Sequence, residues 1–233
     1  MNELSDLKNP SKVQDMFARI APRYDLMNRI MTGWQDQSWR EFTIQKTELD
    51  DQDLLLDLGS GTGDLAGEAL RQHPEIDLVA VDFTLPMMHV GQDRYPEEEF
   101  NWTAGDSLQL PFPDNTFNAV VSGFLLRNLA DLHQGLIEQY RILKPGGKFV
   151  SLDTTQPPNN LLSPLITFYL HSIIPLLGKM ITGQEDAYRY LPSSTDSFLR
   201  AEELTAHLAA AGFRKIMYRR FMFGMIAVHW GEK

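Results

Sequence analysis

Gly59, Gly61 and Gly63 stand at the centre of LLLDLGSGTGDLAGEAL (54–70), with Asp57 just before the first glycine and Asp64 just after the last. A buried strand that breaks into a tight glycine turn and then opens a helix is an arrangement that holds nucleotide-like cofactors. The dinucleotide fingerprint Gly-x-Gly-x-x-Gly has its third glycine where this chain has Asp64. A carboxylate there opposes a pyrophosphate over the helix N-terminus, but suits a ligand carrying an ammonium and a sulfonium. S-adenosylmethionine is such a ligand. Asp82, with Phe83 beside it, ends the next apolar run 19 residues after Gly63, close to the spacing of about 20 typical of a ribose-binding acid. Asp106 and Ser107 follow the third run, where the Asp106 carboxylate can accept from an adenine amine. The predicted cofactor set is therefore Asp57, Gly59, Gly61, Thr62, Gly63, Asp82, Phe83, Asp106 and Ser107.

Such a set needs a scaffold that delivers successive strand ends to one edge. From 53 to about 154, strand-like and helix-like patterns alternate, with no internal repeat and no low-complexity segment. Strands are predicted at 53–58, 77–83, 100–104, 117–126 and 147–154 with helices between them, which implies a parallel sheet that binds ligands at its carboxyl edge. A helix at 201–211 and two terminal strands, FRKIMYRRF and GMIAVHWGE, suit a sheet edge. Ahead of the sheet, a helical arm containing Trp34 and Trp39 is placed to cover the cleft. The expected organisation is one domain over 1–233, with an arm (1–50), a cofactor-binding core (51–155), an apolar helical insertion or lid (156–200) and a terminal helix and strand pair (201–233).

The 233 residues are 43% hydrophobic, enough for one sizeable core. Against 31 Asp and Glu there are 21 Lys and Arg, a formal net charge of -10, which disfavours nucleic acid as a partner. With no cysteine, the chain has no disulfide framework, no thiolate metal site and no cysteine nucleophile. No His and carboxylate spacing suggests a metal. MNELSDLKNPSKVQ lacks the apolar core of a signal peptide, so a cytoplasmic location is expected.

Longer segments resemble a known family. MFARIAPRYDLMNRIMTGWQDQSWR (16–40), LDLGSGTGDLA (56–66), DSLQLPFPDNTFNAV (106–120), LLRNLADLHQGLIEQYRILKPGG (125–147), AYRYLPSSTDSF (187–198) and GFRKIMYRRFMFGMIAVHWGEK (212–233) are similar to the ubiquinone/menaquinone biosynthesis C-methyltransferases among the class I S-adenosylmethionine-dependent methyltransferases. The arm, the Arg127-Asn128 pair and AYRYLPSS are the family-specific parts. The resemblance implies an α/β fold with a seven-stranded, mostly parallel Rossmann-like sheet, and methylation of a ring carbon on a prenylated quinol, foremost demethylmenaquinol. Two departures fall near the expected substrate pocket: Leu125 stands where the family usually has Gly, and LDTTQPP where it often has Glu-Phe-Ser.

A quinone ring is electrophilic and does not attack a methyl sulfonium, whereas a reduced hydroquinone becomes a carbon nucleophile once a ring hydroxyl loses its proton. The enzyme then has to hold that carbon against the methyl group and stabilise the developing phenolate. Arg127 and Asn128, at the end of the fourth strand, and Tyr188 are the predicted catalytic residues. Arginine is a poor base, so Arg127 is assigned an electrostatic role; the simpler alternative pairs it with Asp131. Tyr24, Asp153, His171 and Arg189 are predicted to touch the substrate, with His229 a weaker candidate.

LLSPLITFYLHSIIPLLGKMI (161–181) is long enough to suggest a membrane span. Pro164, Pro175 and His171 favour instead an interrupted helical lid, which in the functional reading is a tail-binding wall, formed in part by Phe168 and Ile173, that touches the membrane reversibly. A homodimer is left open. Rival readings are an NAD-dependent oxidoreductase, weakened by Asp64; a nucleic-acid methyltransferase, weakened by the acidity and the missing Asn-Pro-Pro-Tyr motif and cysteine; a quinone carrier, which needs no cofactor constellation; and an O- or C-methyltransferase of another small aromatic or polyketide.

Overall fold

Apolar strands buried on both faces dictate a sheet covered by helices. In the computed structural model, which describes residues 9–96, 100–157 and 163–233, seven strands form one sheet. They are β1 (Leu54–Leu58), β2 (Asp77–Asp82), β3 (Asn101–Ala104), β4 (Phe117–Gly123), β5 (Leu143–Thr154), β6 (Arg214–Phe221) and β7 (Ile226–Glu232), in the order β3-β2-β1-β4-β5-β7-β6. β7 runs antiparallel to both β5 and β6, and the other pairings are parallel. The opening residues 1–8 of the predicted arm and 158–162 of the predicted insertion lie outside the described residues.

Alternation along β1 divides the core. Leu55 packs with Trp39, Ile44 and Val121 on one face, while Leu56 packs with Val120, Leu136 and Phe149 on the other. Between the strands run α4 (Asp64–Gln72), α5 (Leu85–Arg94) and α6 (Leu132–Ile142), and α9 (Ala201–Ala210) precedes the terminal hairpin. Strand order reverses between β1 and β4, which opens a crevice at their carboxyl ends.

Two strand boundaries differ from expectation. The fourth strand stops at Gly123 rather than reaching 126, because Phe124 turns to φ 58 and Leu126–Asn128 wind into a 3-10 turn. The fifth begins at Leu143 rather than 147, since Leu143 already pairs with Phe117 ahead of a register shift.

The arm comprises α1 (Pro10–Ile20), α2 (Tyr24–Thr32) and α3 (Gln35–Gln45). The insertion comprises α7 (Ser163–Thr182) and α8 (Glu185–Asp196). The prolines do not interrupt α7. Pro175 follows a π turn at Tyr169–Ile173, whose wider winding accommodates a residue with no N–H, and the helix continues. Arm and insertion share one apolar cluster, with Met16, Ile20, Met27 and Met31 packed against Ile174, Ala187 and Tyr188. The two segments, predicted as separate covers, form a single cap over the crevice.

Candidate active site

The carboxyl ends of β1, β2 and β4 line the first of two adjoining cavities. Gly59, Gly61 and Gly63 adopt φ values of 69°, 57° and 81°, so the turn is open to glycine and costly for other residues. The amide of Gly61 donates to Asp82 Oδ2 at 2.8 Å and that of Thr84 to Asp82 Oδ1 at 2.7 Å, tying the two strand ends together. Burial raises the Asp82 carboxyl above its ordinary value, and these amides oppose the rise. An Asx turn from Asp106 Oδ1 to the Leu108 amide, at 2.9 Å, sets Asp106 at the rim. The arm closes over this cavity through Pro10, Val13, Phe17 and Tyr24, and Gln14 Nε2 donates to the Phe83 carbonyl at 2.6 Å.

Asp57 is 1% exposed. Its Oδ2 accepts from the Ala66 amide at 3.1 Å, while Oδ1 is buried with no hydrogen-bond partner. Burial pushes this carboxyl up to about 7. A buried acceptor without a donor is incomplete by itself, and a ligand ammonium would complete it. The donor set therefore fits S-adenosylmethionine, with Asp57, Asp82 and Asp106 offering acceptors around one cavity.

Of the nine predicted cofactor residues, eight line this cavity; Gly63 does not. Gly63 instead starts α4 with Trp102 packed against its Cα, where an added Cβ would lie 3.0 Å from the ring. Asp64 borders the cavity, but its expected pairing with a cationic ligand is corrected. Its carboxylate is bound by Arg94 at 2.6 Å, Arg40 at 3.0 Å and Arg29 at 3.1 Å. Although burial acts upward, the three guanidiniums hold the carboxyl below its ordinary value. The network continues from Arg29 and Arg40 to the fully buried Asp36, and from Arg94 to Asp25, which accepts from Thr62 Oγ1 at 2.7 Å. Arm and glycine turn are thereby clamped. Asp25, Arg29, Asp36, Arg40 and Arg94 are not among the residues expected from sequence; the charge-dense 23–40 stretch is the available signal for the first four, and Arg94 has none.

The second cavity lies under the cap and shares Phe17, Tyr24 and Phe124 with the first. Met16, Ile20, Tyr169, Leu170, Ile174 and Leu191 make its wall apolar. Arg127 enters this wall, 3% exposed. Its Nη1 donates to Asp153 Oδ1 at 2.6 Å and its amide to Asp153 Oδ2 at 3.2 Å, while its Nε is buried without a partner. Asp131, the alternative partner considered for Arg127, instead caps α6 by accepting from the Gln134 amide at 3.0 Å. Tyr24 and Tyr188 line the same cavity, and burial raises both hydroxyls. Asn128 lines the cofactor side of the turn.

The other predicted substrate residues lie elsewhere. Asp153 sits behind Arg127 and lines neither cavity. His171 faces outward from α7 and meets Asp196 at 3.1 Å. Arg189 is exposed, since α8 turns Ala187, Tyr188, Tyr190 and Leu191 inward. His229 is buried and bonds the Ala201 carbonyl at 2.9 Å, outside both cavities. Phe168 is 59% exposed, and neither it nor Ile173 lines the cavity. Among the described residues no group of three or more His, Asp or Glu is placed to hold a metal.

Solved structures share this architecture. The [4+2]-cyclase SpnF matches with a TM-score of 0.71 at 17% identity, covering 95% of this chain and 94% of that one. A SAM-dependent methyltransferase from Thermotoga maritima matches with a TM-score of 0.64 at 18% identity, covering 94% and 99%. Fold and cofactor cavity together define a class I S-adenosylmethionine-dependent methyltransferase. The chain belongs to the ubiE/COQ5 methyltransferase family, which matches residues 4–233. It is 45% identical to the ubiquinone/menaquinone biosynthesis C-methyltransferase UbiE of Desulfotalea psychrophila over 95% of this chain and 90% of that protein. It is 39% identical to the demethylmenaquinone methyltransferase of Thermus thermophilus over 94% of this chain and the whole of that protein.

Proposed function

We propose that this enzyme methylates a ring carbon of a prenylated quinol, converting demethylmenaquinol to menaquinol. The observation that carries this reading is the meeting of a carboxylate-rich cavity with an apolar one at Phe17, Tyr24 and Phe124, with a buried Arg127 beside that junction. The names of the similar proteins from Desulfotalea psychrophila and Thermus thermophilus support the substrate class.

Bound S-adenosylmethionine supplies an electrophilic methyl group. Asp57 pairs with its ammonium, Asp82 accepts from the ribose hydroxyls, and Asp106 accepts from the adenine amine. The cap walls exclude water and orient the quinol ring, so that much of the acceleration is positional. Asp153 fixes the Arg127 guanidinium, whose positive charge stabilises the oxygen as the ring hydroxyl gives its proton to solvent. The methyl passes from sulfur to the ring carbon, the thioether leaves, and the ring C–H proton is lost as the oxygen is reprotonated. The Tyr24 hydroxyl, whose pKa burial raises further, is a second donor.

α7 joins this chemistry to the location of the substrate. Its inner face gives Tyr169, Leu170 and Ile174 to the apolar cavity. Its outer face exposes Leu165 (67%), Phe168 (59%), Leu176 (53%) and Met180 (75%). A cytoplasmic protein that rests this stripe reversibly on the inner membrane surface reaches a lipid quinol without spanning the bilayer.

The test is transfer of labelled methyl to a panel of tailed quinols in liposomes and to tailless analogues, with the methyl located by NMR. Only reduced substrates should react, and tailed ones should show the lower KM. Equal rates with oxidised quinone would refute the chemistry.

A further inference from the structure

The turn Leu126–Asn128 is the partition between the two cavities. Leu125, Asn128, Leu129 and Ala130 face the cofactor side, and Arg127 faces the apolar side. Phe124, which begins the partition, is held in a left-handed conformation (φ 58) unusual for an aromatic residue. Two hydrogen bonds maintain it: its amide donates to the Leu152 carbonyl at 2.7 Å, and its carbonyl accepts from Asn128 Nδ2 at 2.9 Å. Two cations lie over its ring, the Arg127 guanidinium at 5.3 Å and that of Arg40 at 5.9 Å from the centroid. The position of this ring at the junction therefore depends on the orientation of the Asn128 amide.

One contact from the cap fixes that amide. The Tyr190 hydroxyl, on α8, donates to Asn128 Oδ1 at 2.8 Å, across 62 residues of sequence. Tyr190 lines only the apolar cavity, whereas Asn128 lines only the cofactor cavity. With both ends of its side chain engaged, Asn128 has one amide orientation that satisfies Tyr190 and Phe124 together. If the Tyr190 bond is lost, Oδ1 becomes an unpaired acceptor at the wall of the cofactor cavity.

We propose that Tyr190 is a positioning residue that couples the docked cap to the cofactor cavity through Asn128. When the cap is seated, the bond sets the Asn128 amide and through it the Phe124 partition. When the cap is displaced, the partition loses its support. Tyr190 thus affects cofactor binding although it lines only the neighbouring cavity. The inference builds on the methyltransferase reading, but its central test needs no quinol.

The test is a calorimetric double-mutant cycle with S-adenosylmethionine, using the full chain, Tyr190→Phe, Asn128→Ala and the combined variant. Phenylalanine keeps the packed ring and removes only the hydroxyl, and thermal melts verify that each variant is folded. Loss of this half-buried hydrogen bond is expected to weaken Kd about 3- to 10-fold in Tyr190→Phe. The same substitution should have no further effect in the Asn128→Ala background. An unchanged Kd in Tyr190→Phe, or an equal loss in both backgrounds, overturns the proposal. With a reduced tailed quinol, Tyr190→Phe should lower kcat while KM for the quinol stays within about twofold, the pattern of a positioning defect. A larger effect on KM than on kcat would make Tyr190 a substrate contact and also overturn it. If the unmodified enzyme methylates no quinol, the proposed substrate fails, and the cofactor cycle still decides the role of Tyr190.

Discussion

The two cavities share three residues and differ in how they are built. The cofactor cavity draws its polar groups from consecutive strand ends: Asp57, Asp82 and Asp106 lie in a strand or within two residues of one, and each accepts from a backbone amide of the same edge. The apolar cavity draws from the arm, the turn after β4, the end of β5, the insertion and the terminal hairpin, segments far apart in sequence that meet only when the cap packs. The first is therefore local and largely preformed by the sheet. The second is a tertiary product whose shape depends on α1, α2, α7 and α8 remaining docked.

The comparison is tested most strongly at Asp64, which belongs to the cofactor edge yet holds the arm. Asp64→Ala would leave Arg29, Arg40 and Arg94 with Asp25 and Asp36 as their remaining acidic partners. Stripping one partner from a buried charge network costs about 3–5 kcal/mol. At about 2–4 °C per kcal/mol for a chain of this size, the expected fall in melting temperature is about 6–20 °C. Cofactor affinity should fall with it as the arm loosens. A melting temperature within about 2 °C of the parent would mean that the cap stays docked without this clamp.

Arg127 tests the opposite side. Arg127→Met keeps the apolar stem and removes the positive charge in the wall of the apolar cavity, so turnover with reduced quinol should fall about 100- to 1,000-fold. Cofactor affinity should fall much less than turnover, because the Arg127 side chain bonds Asp153 and leaves the Tyr190–Asn128–Phe124 hydrogen bonds in place. Equal losses in both would show that the partition, rather than the charge, had failed; near-normal turnover would remove Arg127 from the chemistry.

The same contrast explains what was legible in the sequence. Strand-end chemistry could be read because a glycine turn and its flanking acids are contiguous, and eight of the nine expected cofactor residues face one cavity. Asp64 misled because local sequence shows a carboxylate at a helix start but not the three arginines that reach it from α2, α3 and α5. The substrate side was read less well for a geometric reason. In AYRY, the single-residue choice between Arg189 and Tyr190 depends on how α8 is rotated against the arm, which no local pattern specifies. His171 and Phe168, expected to reach the substrate, face outward, whereas the π turn and packing on the arm direct Tyr169, Leu170 and Ile174 inward.

The smallest expected effect concerns Asp57, the buried carboxylate that β1 brings to the cofactor cavity. Its burial raises the folded-state pKa to about 7, against about 3.9 in an unfolded chain. In the free protein, ionising this carboxyl therefore lowers folding stability as pH climbs through the window from about 4 to about 7. Binding reverses the preference. The ligand ammonium pairs with the carboxylate form, so below pH 7 the complex forms with release of a proton. Affinity for S-adenosylmethionine should then decrease about fivefold from pH 7 to pH 6 and approach a tenfold loss per unit below that, as expected for one linked proton. Calorimetry in two buffers of different ionisation enthalpy would count the proton directly. Asp57→Asn should bind more weakly throughout and lose the dependence between pH 5.5 and 7. If the variant keeps the same slope, the linked proton resides on another group, and the unpartnered Asp57 oxygen is not where the ammonium binds.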